Sequence, residues 1–165
     1  MSFPLLPTYR IDALTDLTAD MLQKQGIRLL MLDFDNTIVP YTTDTPTDEM
    51  LKWLDAMKQS GIQLCVVSNS HNSRVKIFCG KHGLDCITHA KKPFTKGICR
   101  CLRKYDLPRD VCALAGDQIY TDTLGANCAG VRSILVRSID NHNIWLKMRH
   151  VAEKPFIWAA KNRRM

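Results

Sequence analysis

Residues 28–37 read RLLMLDFDNT, a short apolar run that ends in two aspartates two positions apart. The run predicts a buried strand, because four consecutive apolar residues lie between charged residues. Asp33 and Asp35 leave the end of this strand together, so both carboxylates can face one pocket. We therefore expect a strand whose carboxyl end opens on a polar site.

Four further strands are predicted downstream, and a helix separates each strand from the next. These strands cover residues 63–68, 85–89, 111–116 and 133–136. Short apolar strands that alternate with helices are typical of a parallel sheet covered on both faces. We expect an α/β, Rossmann-like three-layer sandwich with a five-stranded, mainly parallel sheet and helices on both faces.

The helices are predicted from apolar residues that recur three and four positions apart. Leu14, Leu17 and Met21 define one helix ahead of the first strand. Thr45 is predicted as the N-cap of the next helix, and residues 121–128 are predicted as the last helix.

Length and composition indicate one globular domain over residues 1–165. The chain has 165 residues, of which 45% are hydrophobic and 24% are charged. Its formal charge is +7, and residues 137–165 carry +5 of this charge as a basic C-terminal tail. The tail also contains Trp145, Phe156, Ile157 and Trp158. Such a tail can dock on an anionic membrane, contact RNA, or pack on the domain's own core.

Cysteine usage favours a reducing compartment. The seven cysteines are an odd number and include no CxxC pair. The first ten residues lack the basic and apolar regions of a secretory signal, and no apolar run approaches the ~18 residues of a spanning helix. We expect a cytoplasmic protein, with peripheral contact at the inner face of the membrane left open.

Polar residues also follow the other predicted strands. Ser68 closes the second strand and Asn69 follows it. Lys92 follows the third strand and Asp117 the fourth, with Asp122 five residues later. In parallel sheets the site lies beyond the carboxyl ends of the strands, so these side chains should converge. Crowded carboxylates require a cation such as Mg²⁺, while a hydroxyl and a lysine suit phosphoryl oxygens. The set predicts a metal-assisted phosphoryl-transfer site.

Four segments at these strand ends resemble the motifs of the haloacid dehalogenase (HAD) superfamily of phosphatases. They are DFDNT at 33–37, Ser68–Asn69, Lys92–Pro93 and GDQIYTD at 116–122. The stretches DFDNTIVPY, AKKP and GDQIYTD look like the YqeG-type subfamily IIIA, a group that also includes mitochondrial phosphatidylglycerophosphate phosphatases. The resemblance implies the HAD form of the Rossmann-like fold and Mg²⁺-dependent hydrolysis of a phosphomonoester.

The resemblance implies a catalytic role for each aspartate of the first motif. Asp33 would be the nucleophile that forms an aspartyl-phosphate, and Asp35 would be the general acid and then the base. Mg²⁺ would be held by the Asp33 carboxylate, the Asp35 backbone carbonyl and Asp117.

The remaining motif residues would bind the phosphoryl group or support the site. Ser68, Asn69 and Lys92 would bind the phosphate. Lys92 is preferred to its neighbour Lys91 because it precedes a proline, as the motif lysine does. Asp122 would orient Lys92 or a metal-bound water, and Thr37 would brace the loop.

The spacing of the motifs predicts that no cap domain covers the site. HAD phosphatases often carry caps after the first or second motif. Here 30 residues separate Thr37 from Ser68 and 23 separate Ser68 from Lys92, enough for one helix and one strand each. An open site suits a phosphate displayed on something large, and the resemblance implies phosphatidylglycerophosphate, hydrolysed to phosphatidylglycerol. A phosphoprotein or phosphosugar phosphatase and an RNA- or ribosome-associated binding protein remain alternatives.

A second metal site is conceivable in the sequence. Cys79, His82, Cys86 and His89 are residue types that can bind zinc. Cys79 and His82, however, lie in register with the apolar face of a predicted helix, so we interpret them as core residues.

Overall fold

The computed structural model describes residues 4–43, 45–71, 73–140, 154–160 and 162–165. Six strands form one sheet in the order β1-β6-β5-β2-β3-β4, and every pairing between them is parallel. Their bounds are β1 Tyr9–Arg10, β2 Leu29–Leu32, β3 Gln63–Val67, β4 Asp85–Ile87, β5 Cys112–Gly116 and β6 Arg132–Leu135.

Five α-helices connect and cover these strands. They are α1 Ala19–Lys24, α2 Asp48–Gln59, α3 Ser73–His82, α4 Lys96–Tyr105 and α5 Leu124–Ala129. Short 3₁₀ turns occupy Leu14–Asp16 and Arg109–Val111, and a π-helical turn occupies Ile119–Thr123. Residues 154–159 are also helical.

The sheet has six strands rather than the predicted five. The additional strand, β1, contains two residues that pair with Ile134 and Leu135 of β6. Its pairing is supported by the backbone N–H of Thr8, which donates to the Ser133 hydroxyl at 2.9 Å. A two-residue strand has no apolar period, and its existence depends on a partner 125 positions away.

The first predicted helix is divided in two. Leu14 lies in the 3₁₀ turn, whereas Met21 lies in α1, which begins after Thr18. The Thr18 hydroxyl accepts a hydrogen bond from the Met21 backbone N–H at 3.2 Å and so caps a new helix. Leu17, between the two, is fully buried although it is not helical.

The predicted N-cap of the second helix is wrong by two positions. Thr47, not Thr45, caps α2, because its hydroxyl accepts from the Met50 backbone N–H at 3.2 Å. This start places Asp48 and Glu49 in the first turn, where the positive end of the helix dipole stabilises carboxylates.

The last helix is predicted over residues 121–128, but α5 begins only at Leu124. The π-helical turn Ile119–Thr123 precedes α5, and Gly130 ends α5 with a φ of 73°. The wider turn is closed by the Asp122 backbone N–H, which donates to the Gln118 carbonyl at 2.9 Å. It places Asp122 at the carboxyl end of the sheet.

Apolar side chains cover both faces of the sheet. Alternate residues of the central strand point to opposite sides: Leu30 and Leu32 join one core cluster, and Leu29 and Met31 join the other. The first cluster includes residues of α2 and α3, and the second includes residues of α4 and α5. The three-layer arrangement is therefore confirmed.

The described parts of the C-terminal segment lie against the domain. The Arg10 backbone N–H donates to the Arg163 carbonyl at 2.8 Å, and Met165 packs on the core. Phe156 lies against Tyr120, with ring centroids 6.3 Å apart, while Trp158 is 78% exposed. Residues 141–153, which include Trp145, lie outside the described residues. Within the described part of the chain, no helix is both long and apolar enough to cross a membrane.

Candidate active site

A buried lysine joins two carboxylates at the carboxyl end of the sheet. The Lys92 Nζ atom lies 2.6 Å from Asp33 Oδ1 and 2.7 Å from Asp122 Oδ1. The Lys92 side chain is 1% exposed. Although burial alone would lower the pKa of Lys92, Asp122 and Asp33 raise it above its usual range. The lysine is therefore a permanent positive charge held between two aspartates.

Sheet order explains why these residues meet. β2 lies between β3 and β5, so residues that follow all three strands emerge side by side. The Asp33 backbone N–H donates to the Ala115 carbonyl at 2.9 Å, which places Asp33 next to the end of β5. Asp117 follows β5 directly and is also buried.

Three carboxylates of this cluster could hold a divalent cation. One oxygen from each of Asp33, Asp117 and Asp122 lies within 4.8 Å of the others. Burial, followed by the charges of Asp33 and Asp122, raises the pKa of Asp117 to about 8. Burial also raises the pKa of Asp122 to about 6, against the opposing effect of Lys92. The cluster is short of positive charge, and a hard cation with oxygen ligands, such as Mg²⁺, fits this donor set.

The loop after β2 supports the first motif. The Phe34 carbonyl accepts from the backbone N–H groups of Ile38 and Val39, so the chain turns sharply there. The Thr37 hydroxyl lies 3.4 Å from Asp33 Oδ2 and 3.5 Å from Asp117 Oδ1. Thr37 therefore contacts both aspartates, in keeping with a bracing role.

Ser68 and Asn69 also lie at this end of the sheet. The Asn69 side-chain amide donates to the Lys92 carbonyl at 2.9 Å, and its oxygen accepts from the Lys92 backbone N–H at 2.6 Å. Asn69 thus holds the segment that carries the lysine. The buried Ser68 hydroxyl accepts from the Ser70 backbone N–H at 3.0 Å, which leaves its own proton available to donate.

Three residues at the site were not found from the sequence. An Arg74 Nη atom lies 2.8 Å from Asp35 Oδ1, and its guanidinium lies 5.2 Å from the centre of the Phe34 ring. The Ser138 hydroxyl donates to Asp117 Oδ2 at 2.7 Å. These two residues belong to α3 and to the segment after β6, and no local pattern distinguishes them from other arginines and serines.

Tyr41 is the third of these residues. Burial raises its pKa to about 12, with further contributions from the charges of Asp117, Asp33 and Asp35. The Gln118 side-chain amide donates to the Tyr41 hydroxyl at 3.3 Å. The phenol therefore stays protonated near neutral pH and faces the aspartate cluster.

The structure does not bring the four candidate zinc ligands together. The Cys79 side chain is buried in the core beside Cys86. His82 packs on Phe78, whereas His89 lies against His71, with ring centroids 4.0 Å apart. Among the described residues, the three aspartates are the group arranged to hold a metal.

Comparisons with known proteins match this chain to one hydrolase family and to a probable phosphatase. A family model described as "haloacid dehalogenase-like hydrolase" matches residues 6–130. The chain is 34% identical over 131 residues to the Bacillus subtilis (strain 168) protein named "Probable phosphatase YqeG", a match that covers 79% of this chain and 76% of that protein.

Solved structures share the fold at much lower identity. A HAD-superfamily hydrolase from Ehrlichia chaffeensis matches with a TM-score of 0.57 at 14% identity, covering 78% of this chain and 97% of that chain. The cobalt-bound deoxy-D-mannose-octulosonate 8-phosphate phosphatase from Haemophilus influenzae matches with a TM-score of 0.54 at 10% identity, covering 83% and 91%. At these identities the likeness concerns the fold alone.

Proposed function

The chain belongs to the haloacid dehalogenase-like hydrolase family, and on this premise we propose that it is a Mg²⁺-dependent phosphatase of phosphomonoesters. The observation that carries the proposal is the buried Asp33–Lys92–Asp122 cluster with Asp117 beside it. This cluster offers a carboxylate nucleophile, a fixed positive charge and a metal site in one place.

In the proposed reaction, an Asp33 carboxylate oxygen attacks phosphorus while the bond from phosphorus to the leaving oxygen breaks. Asp35 gives its proton to the leaving alcohol, and an aspartyl-phosphate remains. Asp35 then takes a proton from water, whose oxygen attacks phosphorus. The bond between phosphorus and the Asp33 oxygen breaks in this second step, which releases inorganic phosphate and restores the Asp33 carboxylate.

The other residues compensate charge during both steps. Lys92 has three N–H donors: it donates one to Asp33 and forms an ion pair with Asp122, so a further donor can bind a phosphoryl oxygen. The Ser68 hydroxyl provides a second donor. Of the three clustered carboxylates, Asp33 and Asp117 would hold Mg²⁺ together with the Asp35 backbone carbonyl, because Asp122 is already paired with Lys92. When bound, Mg²⁺ supplies positive charge that stabilises the phosphoryl oxygens in the transition state.

For the substrate we propose phosphatidylglycerophosphate, whose hydrolysis gives phosphatidylglycerol. Two features support a large, displayed phosphate. Between β2 and β3 the described helix is α2 alone, and between β3 and β4 it is α3 alone, so neither position where caps occur contains an additional domain in the described residues. The second is the resemblance of the motifs to the YqeG-type subfamily, which implies a lipid phosphate, while the similarity to the Bacillus subtilis protein named "Probable phosphatase YqeG" supports phosphatase activity alone.

The proposal is tested by phosphate release from a panel of monoesters with and without Mg²⁺. The panel contains phosphatidylglycerophosphate in detergent, a phosphosugar, a phosphopeptide, a nucleotide and a small chromogenic ester. We expect Mg²⁺-dependent release, fastest with the lipid, and no turnover by Asp33→Asn. Asp55→Asn, an exposed aspartate paired with Lys58 on α2, is the matched control and should retain full activity.

The outcomes separate the parts of the proposal. Full activity of folded Asp33→Asn would exclude Asp33 as the nucleophile. Faster hydrolysis of the phosphosugar or phosphopeptide would replace the lipid with one of the alternative substrates. Absence of phosphate release from every ester would contradict the phosphatase function itself.

A further inference from the structure

Positive charge is concentrated in one part of the chain that includes the second and third motifs. Residues 69–105, here called the basic edge, contain nine lysines and arginines and one acidic residue, Asp85, a formal charge of +8. The rest of residues 1–136 is acidic, with a formal charge of −6. The basic edge comprises α3, β4, α4 and the loops between them, and β4 is the outermost strand on its side of the sheet.

The single acidic residue of the basic edge is neutralised and lies far from the site. Asp85 begins β4, at the end of the strand opposite to the motif loops. Its carboxylate lies 2.5 Å from the Lys104 Nζ atom and accepts a hydrogen bond from the Tyr105 hydroxyl at 2.7 Å. At the other end of β4, two basic residues are paired with site carboxylates: Arg74 with Asp35, and the buried Lys92 with Asp33 and Asp122. The exposed positive charge there is therefore that of other basic residues of the edge, such as Lys76 and Lys91.

Several basic side chains surround the loop that follows β4. The pKa of His89 is lowered by partial removal from water and then by four basic neighbours: His71, Lys76, Arg100 and Lys91. His71 comes from the loop after β3 and Lys76 from α3, while Arg100 comes from α4 and Lys91 from the loop after β4 itself. The charged neighbours Lys76, Lys91 and Arg100 make this region positive, and a positive region attracts an anionic surface.

Large apolar side chains are exposed within the same region. Ile77 is 68% exposed and Phe94 is 73% exposed. Ile77 lies on the solvent face of α3 directly after Lys76, and the Phe94 backbone N–H donates to the Lys91 carbonyl at 2.9 Å. Each exposed apolar residue therefore lies next to one of the basic residues around His89.

We propose that the basic edge docks this protein on an anionic lipid bilayer. Basic side chains would contact lipid phosphates, while Phe94 and Ile77 would insert between the headgroups. At a single-strand nucleic acid site, positive charge is combined with base stacking on aromatic side chains, which would use Phe94 and leave Ile77 in water. The bilayer is therefore the occupant that uses both kinds of exposed side chain.

Docking through this region would bring the catalytic cluster to the membrane surface. Lys92, which contacts Asp33, lies between Lys91 and Phe94 in the chain. The hydrogen bonds between Asn69 and the Lys92 backbone tie the loop after β3 to the same segment. The relevance of the docking to a lipid substrate rests on the proposed function, but binding itself does not require turnover.

The test is co-sedimentation of the full chain with vesicles, without substrate. Vesicles of phosphatidylcholine alone are compared with vesicles of phosphatidylcholine mixed with phosphatidylglycerol. We expect salt-sensitive binding to the anionic vesicles only. Lys76→Glu/Lys91→Glu should lower the affinity by at least about tenfold, because each basic residue near the surface contributes. Phe94→Ser should also lower it about tenfold.

A matched variant controls for overall charge. Lys24→Glu/Lys52→Glu changes the net charge by the same amount on α1 and α2, and should bind vesicles as the unmodified chain does. Far-UV circular dichroism of all variants reports folding without any turnover, which keeps this test separate from the proposed function. If no ester is hydrolysed but the binding pattern holds, the docking proposal stands and the phosphatase proposal fails.

Two outcomes would overturn the docking proposal. Undiminished vesicle binding by Lys76→Glu/Lys91→Glu would place any membrane contact elsewhere, such as residues 137–165. Binding to a homopolymeric RNA, with none to anionic vesicles, would assign the surface to a nucleic acid instead.

Discussion

The Arg74 guanidinium lies 2.8 Å from Asp35 Oδ1, so an arginine from α3 holds the carboxylate form of the residue proposed as the general acid and base. The two side chains are about equally buried, at 19% and 20% exposure, and the guanidinium also lies over the Phe34 ring. Asp35 lies in a loop, and this contact restricts the positions that its carboxyl group can take.

Arg74→Ala should therefore reduce turnover more than substrate binding. General acid catalysis contributes about 10²–10⁴ in rate, and loss of positioning should remove about tenfold to a hundredfold in kcat, with little change in KM. Arg74→Lys should recover part of the loss. Arg103→Ala, an exposed arginine of α4, is the control for steady-state kinetics. An unchanged kcat in Arg74→Ala would show that Asp35 needs no positioning by this residue.

Lys92→Met should destabilise the protein strongly, because it leaves buried carboxylates without their cation. Removing one partner of a buried ion pair costs about 3–5 kcal/mol of the free energy of unfolding. The double variant Lys92→Met/Asp122→Asn removes one of these charges and should recover part of that stability while remaining inactive. Urea unfolding measures the stability. Equal stability of the single and double variants would show that the Asp122 carboxylate does not destabilise the fold when Lys92 is absent.

Gly116→Ala should impair the site, because a Cβ atom there would overlap the Asp122 side chain. Displacement of Asp122 would break its contact with Lys92, so we expect lower stability and at least about tenfold lower activity. Gly80→Ala is the matched substitution: it lies in α3, where a Cβ meets nothing within 4 Å. It should raise the free energy of unfolding by up to about 1 kcal/mol. Wild-type activity in Gly116→Ala would mean that the π-helical turn can shift without cost.

Stabilisation by Mg²⁺ should increase with pH. The pKa of Asp117 is raised to about 8, chiefly by burial, so below that pH the folded metal-free protein holds a proton that the unfolded chain releases. Stability of the metal-free protein should therefore fall as pH rises toward 8, and metal binding, which displaces this proton, should offset the fall. Thermal unfolding with and without Mg²⁺ should show a larger shift above pH 8 than well below it. Asp117→Asn should lose most of the shift, and a shift that is the same at every pH would contradict this linkage.

Much of the fold follows from local sequence. The strands at residues 29–32, 63–67 and 112–116 lie within the predicted ranges, because buried parallel strands are apolar on both faces and so appear as continuous runs. β1 could not be predicted in this way, since two residues are too few to show a hydrophobic periodicity. The position of the α2 cap was also missed, because Thr45 and Thr47 are chemically equivalent and the geometry of the chain selects between them.

The sequence by itself determined that Asp33, Ser68, Lys92 and Asp117 follow successive strands, and parallel pairing brings the ends of such strands together. Tertiary structure alone decided which side chains touch. Lys92 lies between Asp33 and Asp122, while Asp35 is paired with Arg74 and Asp117 with Ser138. The physical reason is distance along the chain: these contacts join residues from 21 to 59 positions apart, and such pairs leave no periodic signal.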